Sequence, residues 1–560
     1  MRDDVESHAA VDSGQLRLEA LAYKQQLRRT MSFTSSFCAS LTLMSGIMGV
    51  TASVGYTYRD GGPMAAVWGW MAVSLTNILM AVALAELVSA YPVAGGSYVW
   101  CLELTDNKPD WMFLAWVTGW LNIVGQFAMT AVNSYFTAKL ITIVWLLAGG
   151  RHSTNFDVFL IYSICLLIAG VASCLSTDGL RMFSVFSGAF FAAAGALIIA
   201  ILPMLAPTLQ PANSVFFGSA VNSASEGVPI STYMLLMALP KANFAYVTPQ
   251  TPTLLAEETR RADVIAPYAI IWSVFTSAVL GMGFLLVVLF CIQDPSTVLS
   301  GRANGYLVAQ VLYDVFQGRF GKPVGGLICL GLLLIIAVNA IVMSMAANAR
   351  ALWAFSRDGG LPLHRVWAAV NGRTGTPVNA VWAMTAAAFL LGLPILAFPD
   401  NLACNAVGIA CVGLDISYGI PMFLRIWQPR KFEPGPLNLG RFQPYLNVLA
   451  LTFMAVIAGA FLMPLHIPIN GDTLNWTFLG VGLTAALAYI LWHWPKPGAA
   501  ADYRGSARLR DRRLLRTCTC GGVPSAAAAE LAPRPMTLRP PMTRSQPPVL
   551  PVARSSSGRT

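Results

Sequence analysis

Apolar residues along this chain come in long blocks separated by short polar stretches. Each block runs for roughly 20 residues, the length a helix needs to cross a hydrocarbon core of about 30 Å. Lipid supplies no hydrogen-bond partners, so a crossing segment must satisfy its own backbone. Barrel strands would alternate apolar and polar positions over about 10 residues, and these blocks do not. The pattern predicts an all-α polytopic membrane protein with twelve transmembrane helices. Spans one to three cover 36–57, 65–88 and 111–147, and spans four to six cover 157–175, 182–206 and 229–255. Spans seven to nine cover 266–291, 324–347 and 378–398. The last three cover 403–425, 444–464 and 474–493.

Composition agrees. Of 560 residues, 56% are hydrophobic and 11% charged, against about 25% charged in a soluble domain. Lys and Arg fix the orientation through their excess in cytosolic loops. With a cytosolic N-terminus, inner segments hold Lys108, Arg181, Arg260, Arg261, Arg350, Arg357, Arg365, Arg373, Arg425, Arg430, Lys431 and Arg441. Outer loops hold Arg59, Arg151, Arg302, Arg319 and Lys322. That bias predicts both termini in the cytosol. The net charge of +10 is then a topology signal and gives no reason to expect nucleic acid as a partner.

Three regions follow: a cytosolic N-terminal tail (1–30), a membrane domain (31–497) and a disordered cytosolic C-terminal tail (498–560). Leu16, Leu18, Leu21 and Leu27 among charges suggest a short amphipathic helix in the first. Residues 1–30 lack the apolar stretch of a secretory signal, so span one is expected to act as the uncleaved insertion signal. The last region is rich in Pro, Arg, Ser and Ala and cannot bury enough apolar surface to fold. Its Cys518 and Cys520 are either plain reduced thiols or lipidation sites. Cysteines such as Cys38, Cys165 and Cys404 lie in or beside spans, where Cys behaves as a small hydrophobe.

Two spans are interrupted. Span one reads Leu-Met-Ser-Gly-Ile-Met-Gly-Val over 43–50, with Gly46 and Gly49 at its middle. Span six carries Pro240, Pro249 and Pro252 within 238–252, and each proline removes a backbone donor. Broken helices in corresponding halves of a bundle point to a transporter site. A half-helix N-terminus holds a carboxylate and freed carbonyls hold an ammonium or cation. For span one alone, close packing through glycine is the competing reading.

The motifs between spans are more specific. Asp-Gly-Gly-Pro stands at 60–63 and Ala-Glu-Leu-Val-Ser-Ala-Tyr-Pro-Val-Ala-Gly-Gly-Ser-Tyr-Val-Trp at 85–100. Thr-Gly-Trp-Leu-Asn-Ile-Val-Gly-Gln occupies 118–126, and Glu-Glu-Thr occupies 257–259. Asn-Ala-Arg-Ala-Leu-Trp-Ala-Phe-Ser-Arg-Asp-Gly-Gly-Leu-Pro runs over 348–362, and Pro-Gly-Pro-Leu-Asn-Leu-Gly-Arg-Phe over 434–442. In this order the chain resembles the amino acid–polyamine–organocation transporters. Within them it is most similar to the amino acid/choline transporter family, with its fungal GABA and choline permeases and plant bidirectional amino acid transporters.

The resemblance implies a 5+5 inverted-repeat core plus two helices, with a substrate site between spans one, three, six and eight. The candidates for that site are Ser45, Gly46, Ile47, Met48, Gly49, Asn122, Gln126, Lys241, Asn243, Tyr246, Thr248 and Gln250. Those for gating or coupling are Glu86, Glu257, Glu258, Arg357, Asp358 and Asp415. Glu86 is expected to pair with an arginine such as Arg357. Asp415 is either a carrier of a coupling H+ or a locally hydrogen-bonded group. Where family members carry Thr-Gly-Tyr-Asp-Ala, this chain has Val247, Thr248, Pro249, Gln250 and Thr251, which puts the family's substrate in doubt. Lys241 either pairs with a substrate carboxylate, replaces a bound cation, or reaches to the outer surface.

No phosphate loop, zinc-protease motif or paired-cysteine metal spacing is present, so neither an enzyme nor a cofactor is expected. The leading reading is a secondary permease for amino acids or GABA, in the plasma membrane or an organelle. A choline or polyamine permease and a nutrient sensor with little flux are the alternatives. Choline would want an aromatic cage, for which Trp68, Trp70, Trp120 and Tyr246 are available.

Overall fold

A computed structural model describes residues 12–105, 108–218, 230–295, 297–397, 399–463, 476–494 and 503. Cys518, Cys520, Asn475, the Cys404 side chain and all of the C-terminal tail except Tyr503 lie outside the described residues. The described residues contain helices and no strand, with one isolated parallel bridge between Met31 and Thr259.

In chain order the α-helices are α1 (Ser13–Ala20), α2 (Phe33–Met44), α3 (Gly46–Ala90), α4 (Ser97–Leu104), α5 (Pro109–Leu147) and α6 (Asn155–Ser173). Next come α7 (Thr177–Leu205), α8 (Ala212–Phe217), α9 (Ile230–Asn243), α10 (Thr251–Leu254), α11 (Ala262–Phe290) and α12 (Leu307–Phe320). The last six are α13 (Val324–Arg357), α14 (His364–Trp367), α15 (Val378–Gly392), α16 (Pro399–Trp427), α17 (Gln443–Leu462) and α18 (Thr477–His493).

Local chemistry explains the boundaries. Ser32 caps α2, accepting from the Ser35 amide while Ser35 Oγ accepts from the Ser32 amide. Thr154 and Asp157 form the same reciprocal cap on α6. As one straight rod the 45 residues of α3 would run roughly 68 Å, far more than a bilayer core. The rod is broken at Gly62 (φ 72°, ψ −174°), and Pro63 starts the second arm, a position where its missing N–H costs nothing. Spans one and two therefore meet at an elbow with no loop between them.

Nine helical stretches among the described residues are long and apolar enough to cross a membrane. The stretch 33–90 among them holds both arms of that elbow. Leu160, Ile164, Leu167, Ile168 and Val171 stand exposed along one side of α6. An apolar stripe of that kind belongs against lipid. The interior is helix on helix: α11 packs on α3 and α2, while α16 and α13 flank α5.

One prediction of extent is corrected. Span eight does not end at 347, because α13 continues to Arg357. Apolarity fades there, but Asn348, Arg350 and Ser356 are buried against partners that keep the helix going. The short helix expected in the N-terminal stretch is present as α1. Asp12 caps α1, and Leu18, Leu21, Tyr23 and Leu27 are buried, leaving only Leu16 of the four leucines exposed. Met31 and Arg260 complete the bridge, with Met31 N donating to Glu258 O at 2.9 Å and Arg260 N to Met31 O at 3.0 Å.

Candidate functional site

The break in span one falls at Ser45, between α2 and α3. Its φ of 25° and ψ of 73° are unusual for a residue with a side chain, and such outliers concentrate at functional positions. The neighbouring glycines serve close packing. A Cβ on Gly46 would lie 2.4 Å from Ser277 O, and one on Gly49 would lie 2.3 Å from Ala245 Cβ. The Gly46 amide donates to Ser277 Oγ at 2.9 Å.

Span six breaks around Pro249, whereas Pro240 stays inside α9 and Pro252 sits in the first turn of α10. Helix α9 ends at Asn243, a 3-10 turn covers Phe244–Tyr246, and α10 restarts at Thr251. Tyr418 OH donates to the freed Val247 O at 3.3 Å.

Between the two breaks lies a narrow, partly open cavity, whose about 370 Å³ of non-atom space includes open solvent. Span one supplies Leu43, Met44, Ser45, Met48, Gly49 and Ala52. Met129, Asn133, Phe136 and Thr137 come from α5, Phe244 and Ala245 from span six, and Ala337 and Ala340 from α13. Ser45 Oγ and Asn133 Nδ2 are buried there with no hydrogen-bond partner among the described residues. Such orphans are costly in a dry interior, which suits a place where a polar guest is received.

From the cavity towards the N-terminal end of α5 lies a cluster of amides. Asn122 Nδ2 donates to Ser97 Oγ (3.2 Å) and Ser417 Oγ (3.1 Å), and Asn122 Oδ1 accepts from Gln250 Nε2 at 3.2 Å. Gln126, one turn on, has both side-chain polar atoms buried and without a partner among the described residues. Asn243 Oδ1 accepts from Asn77 Nδ2 at 2.9 Å, and Asn243 also hydrogen-bonds the buried Asp415 carboxylate.

Beyond the amides, at one end of the bundle, is a layer of buried charge. Arg357 grips Glu257 with two parallel bonds of 2.9 and 3.0 Å, the strong fork geometry. Arg350 and Glu258 pair at 2.8 Å with neither side chain exposed. Asp358 Oδ2 accepts from Tyr23 OH at 2.7 Å and Tyr98 OH at 2.9 Å. The Arg357 guanidinium also lies 4.3 Å from the Tyr23 ring centroid. Burial pushes the Asp358 carboxyl up to about 6, although Arg357 and the two tyrosine hydroxyls pull it down. Burial also holds the Tyr23 hydroxyl well above its ordinary value.

A broken-helix cavity capped by paired charges needs only an ancestry to complete it. The model of the family described as "Amino acid permease" matches residues 31–486. The chain belongs to the amino acid permease family. Amino-acid permease BAT1 of Arabidopsis thaliana is 32% identical over 500 residues, covering 86% of this permease and 96% of its relative. A Schizosaccharomyces pombe protein, the uncharacterized amino-acid permease C15C4.04c, is 30% identical, covering 87% of this permease and 89% of its own length. The choline transporter of Saccharomyces cerevisiae is 25% identical, covering 89% and 85%. Such proteins are multi-pass membrane transporters rather than enzymes.

Within this permease the predicted site residues divide. Ser45, Met48 and Gly49 line the cavity. Gly46 faces Ser277, and the Ile47 side chain packs towards Gly195 of α7. Asn122, Gln126, Asn243 and Gln250 sit in the amide clusters, and Thr248 is buried with its Oγ1 unpartnered among the described residues. Tyr246 bonds Ser74 Oγ at 2.7 Å and leans on Trp70. Lys241 is engaged by Asp60, next to the elbow.

The expected Glu86–Arg357 pair is not formed. Glu86 lies 3.8 Å from Arg425 and accepts from the Leu439 amide, because the loop after α16 folds under the end of α3. Phe244, Ala245, Asn133 and Thr137 escaped the sequence reading. The last two continue the face of α5 that carries Asn122 and Gln126, in steps of three or four residues through Met129, and following that stripe would have reached them.

Proposed function

We propose that this permease moves amino acids across its membrane by alternating access, with the cavity between the two breaks as the substrate site. The observation that carries the reading is the meeting of both discontinuities, α5 and α13 around one cavity. The α3 N-terminus, with the Ser45 hydroxyl beside it left without a hydrogen-bond partner among the described residues, suits a carboxylate. Carbonyls at the end of α2 suit an ammonium. The relatives' names, amino-acid permease and choline transporter, frame the same class of cargo.

In this reading the charged layer is the cytosolic gate. Glu257–Arg357, Glu258–Arg350 and Asp358 with Tyr23 and Tyr98 close the path below the amides. Opening separates α13 from the segment that follows span six. Asp415, held by Asn243 at the end of α9, is the group placed to link a proton to the movement of span six.

Uptake into proteoliposomes of labelled amino acids, GABA, choline and putrescine, with and without an imposed proton gradient, tests this. Saturable amino-acid uptake, driven by the gradient and lost from that drive in Asp415→Asn, is the expected result. Ligand binding without any flux would replace the permease reading with a sensor. Uptake that ignores the gradient would remove the coupling role of Asp415.

A further inference from the structure

We infer that the cavity selects zwitterions with neutral, apolar side chains and turns away organic cations and amino acids with a second charge. The inference rests on the reading of the cavity as the substrate site and deepens it. Among the described residues that line it, none is charged, and only Ser45, Asn133 and Thr137 bring polar side chains. Thr137 Oγ1 is already committed to Asn133 O at 2.7 Å. What remains is one hydroxyl and one amide, enough to orient a backbone head group but not to neutralise an extra charge. A charge carried into such a place without a partner is strongly disfavoured.

Ionisable groups on span six and beside it are engaged elsewhere, and Lys139 of α5 lies over the Tyr135 ring. Lys241 is paired with Asp60, and Asp415 stands behind Asn243. Neither lines the cavity.

The walls indicate what is accepted. Met44, Met48 and Met129 converge on the space, and thioethers adapt to guests of different outline. Room comes from Gly49, Ala52, Ala245, Ala337 and Ala340, so bulk is limited.

A quaternary ammonium needs several aromatic faces around one point. The cavity has Phe136 and Phe244, whose rings pack on each other at 5.5 Å and 60°. The other candidates for a cage are scattered. Trp70 packs with Tyr246, Trp120 with Trp116, and the exposed Trp68 donates to Phe216 O.

The test uses the full chain in proteoliposomes, with labelled alanine and methionine competed by arginine, glutamate, putrescine and choline. Each charged competitor is expected to act at least about a hundredfold more weakly than unlabelled alanine. Asn133→Asp places a carboxylate in the cavity, and Ala340→Asp does so from α13. At least one is expected to admit arginine while lowering alanine uptake about tenfold. Arginine, putrescine or choline competing within threefold of alanine overturns the inference and leaves the transport reading standing. So does a wild-type preference for neutral substrates that neither carboxylate variant alters, since selection would then lie elsewhere. Absence of uptake of every compound would instead sink the reading beneath it.

Discussion

The cavity and the charged layer are both polar islands inside an apolar bundle, yet they are built in opposite ways. In the layer every carboxylate has a cationic or hydroxyl partner, and the partners come from segments far apart in sequence: Tyr23, Glu257 and Arg357. In the cavity the polar atoms are few, uncharged and left open, as Ser45 Oγ and Asn133 Nδ2 show. Paired charge holds segments together even though Glu258 Oε2, Arg350 Nη2 and Arg357 Nε lack a further hydrogen-bond partner among the described residues, whereas the open dipoles of the cavity face no charge at all. On the proposed reading the layer closes and the cavity receives, and the two are built from different residues.

The hardest blow to that contrast is Arg350→Ala. It strands Glu258 as a buried, unpaired carboxylate, a loss of about 3–5 kcal/mol. A collapse of thermal stability in detergent is expected, with substantial rescue by the double change Arg350→Met, Glu258→Gln. A mild effect would mean that the layer does not hold its segments.

Gly49→Ala probes the other region. Its new methyl would meet Ala245 Cβ at 2.3 Å with no flexible atom to give way, at a cost of about 1–3 kcal/mol. Uptake should fall with little change at the charged layer, read as unaltered labelling of a reporter cysteine there. Normal uptake would remove the contact between the breaks from the mechanism.

Asp358 makes the contrast pH-dependent. Its carboxyl sits at about 6 instead of the ordinary 3.8, so the closed layer binds a proton more tightly than an opened, hydrated one. Closure therefore gains stability as pH falls through about 6 and loses it as pH rises. Arg357, Glu257, Tyr23, Tyr98 and Tyr503 are the titratable or charged groups that act on it. Between pH 7.5 and 5 the shift is about tenfold. It is measured as protection of a cysteine placed at Thr253, relative to the same cysteine with Asp358→Asn. A flat ratio would show that Asp358 does not report closure.

Lys241→Met should be the mildest. Lys241 and Asp60 are partly exposed, 18% and 30% by side chain, and a pair of that kind contributes about 1 kcal/mol or less. Stability should barely move and selectivity not at all. A selective loss of anionic or zwitterionic substrates would return Lys241 to the substrate site.

The membrane helices were legible because a bilayer demands long apolar runs, and the break in span six because Pro249 stands in it, although Pro240 and Pro252 are accommodated within helices. Ser45 was not legible as a break point. Its backbone is forced by the meeting of α2, α3 and α11, and the adjacent glycines, which look like hinges, are used for contact. Charge pairing was half legible. Glu257, Glu258 and Arg357 announced a layer, but which arginine meets Glu86 depends on how the loop carrying Leu439 returns beneath α3. The burial of Leu18 and Tyr23 was hidden for a similar reason: short range gives the helix, and only the finished bundle supplies its cover.

The contact between Gly49 and Ala245 has a mechanical meaning. With nothing larger than a methyl group between the two discontinuous helices, they share a bearing near the cavity. If the halves tilt as alternating access requires, this contact would carry the motion of one to the other, as a lever does about its fulcrum. Any side chain that thickens the bearing would be felt at both ends.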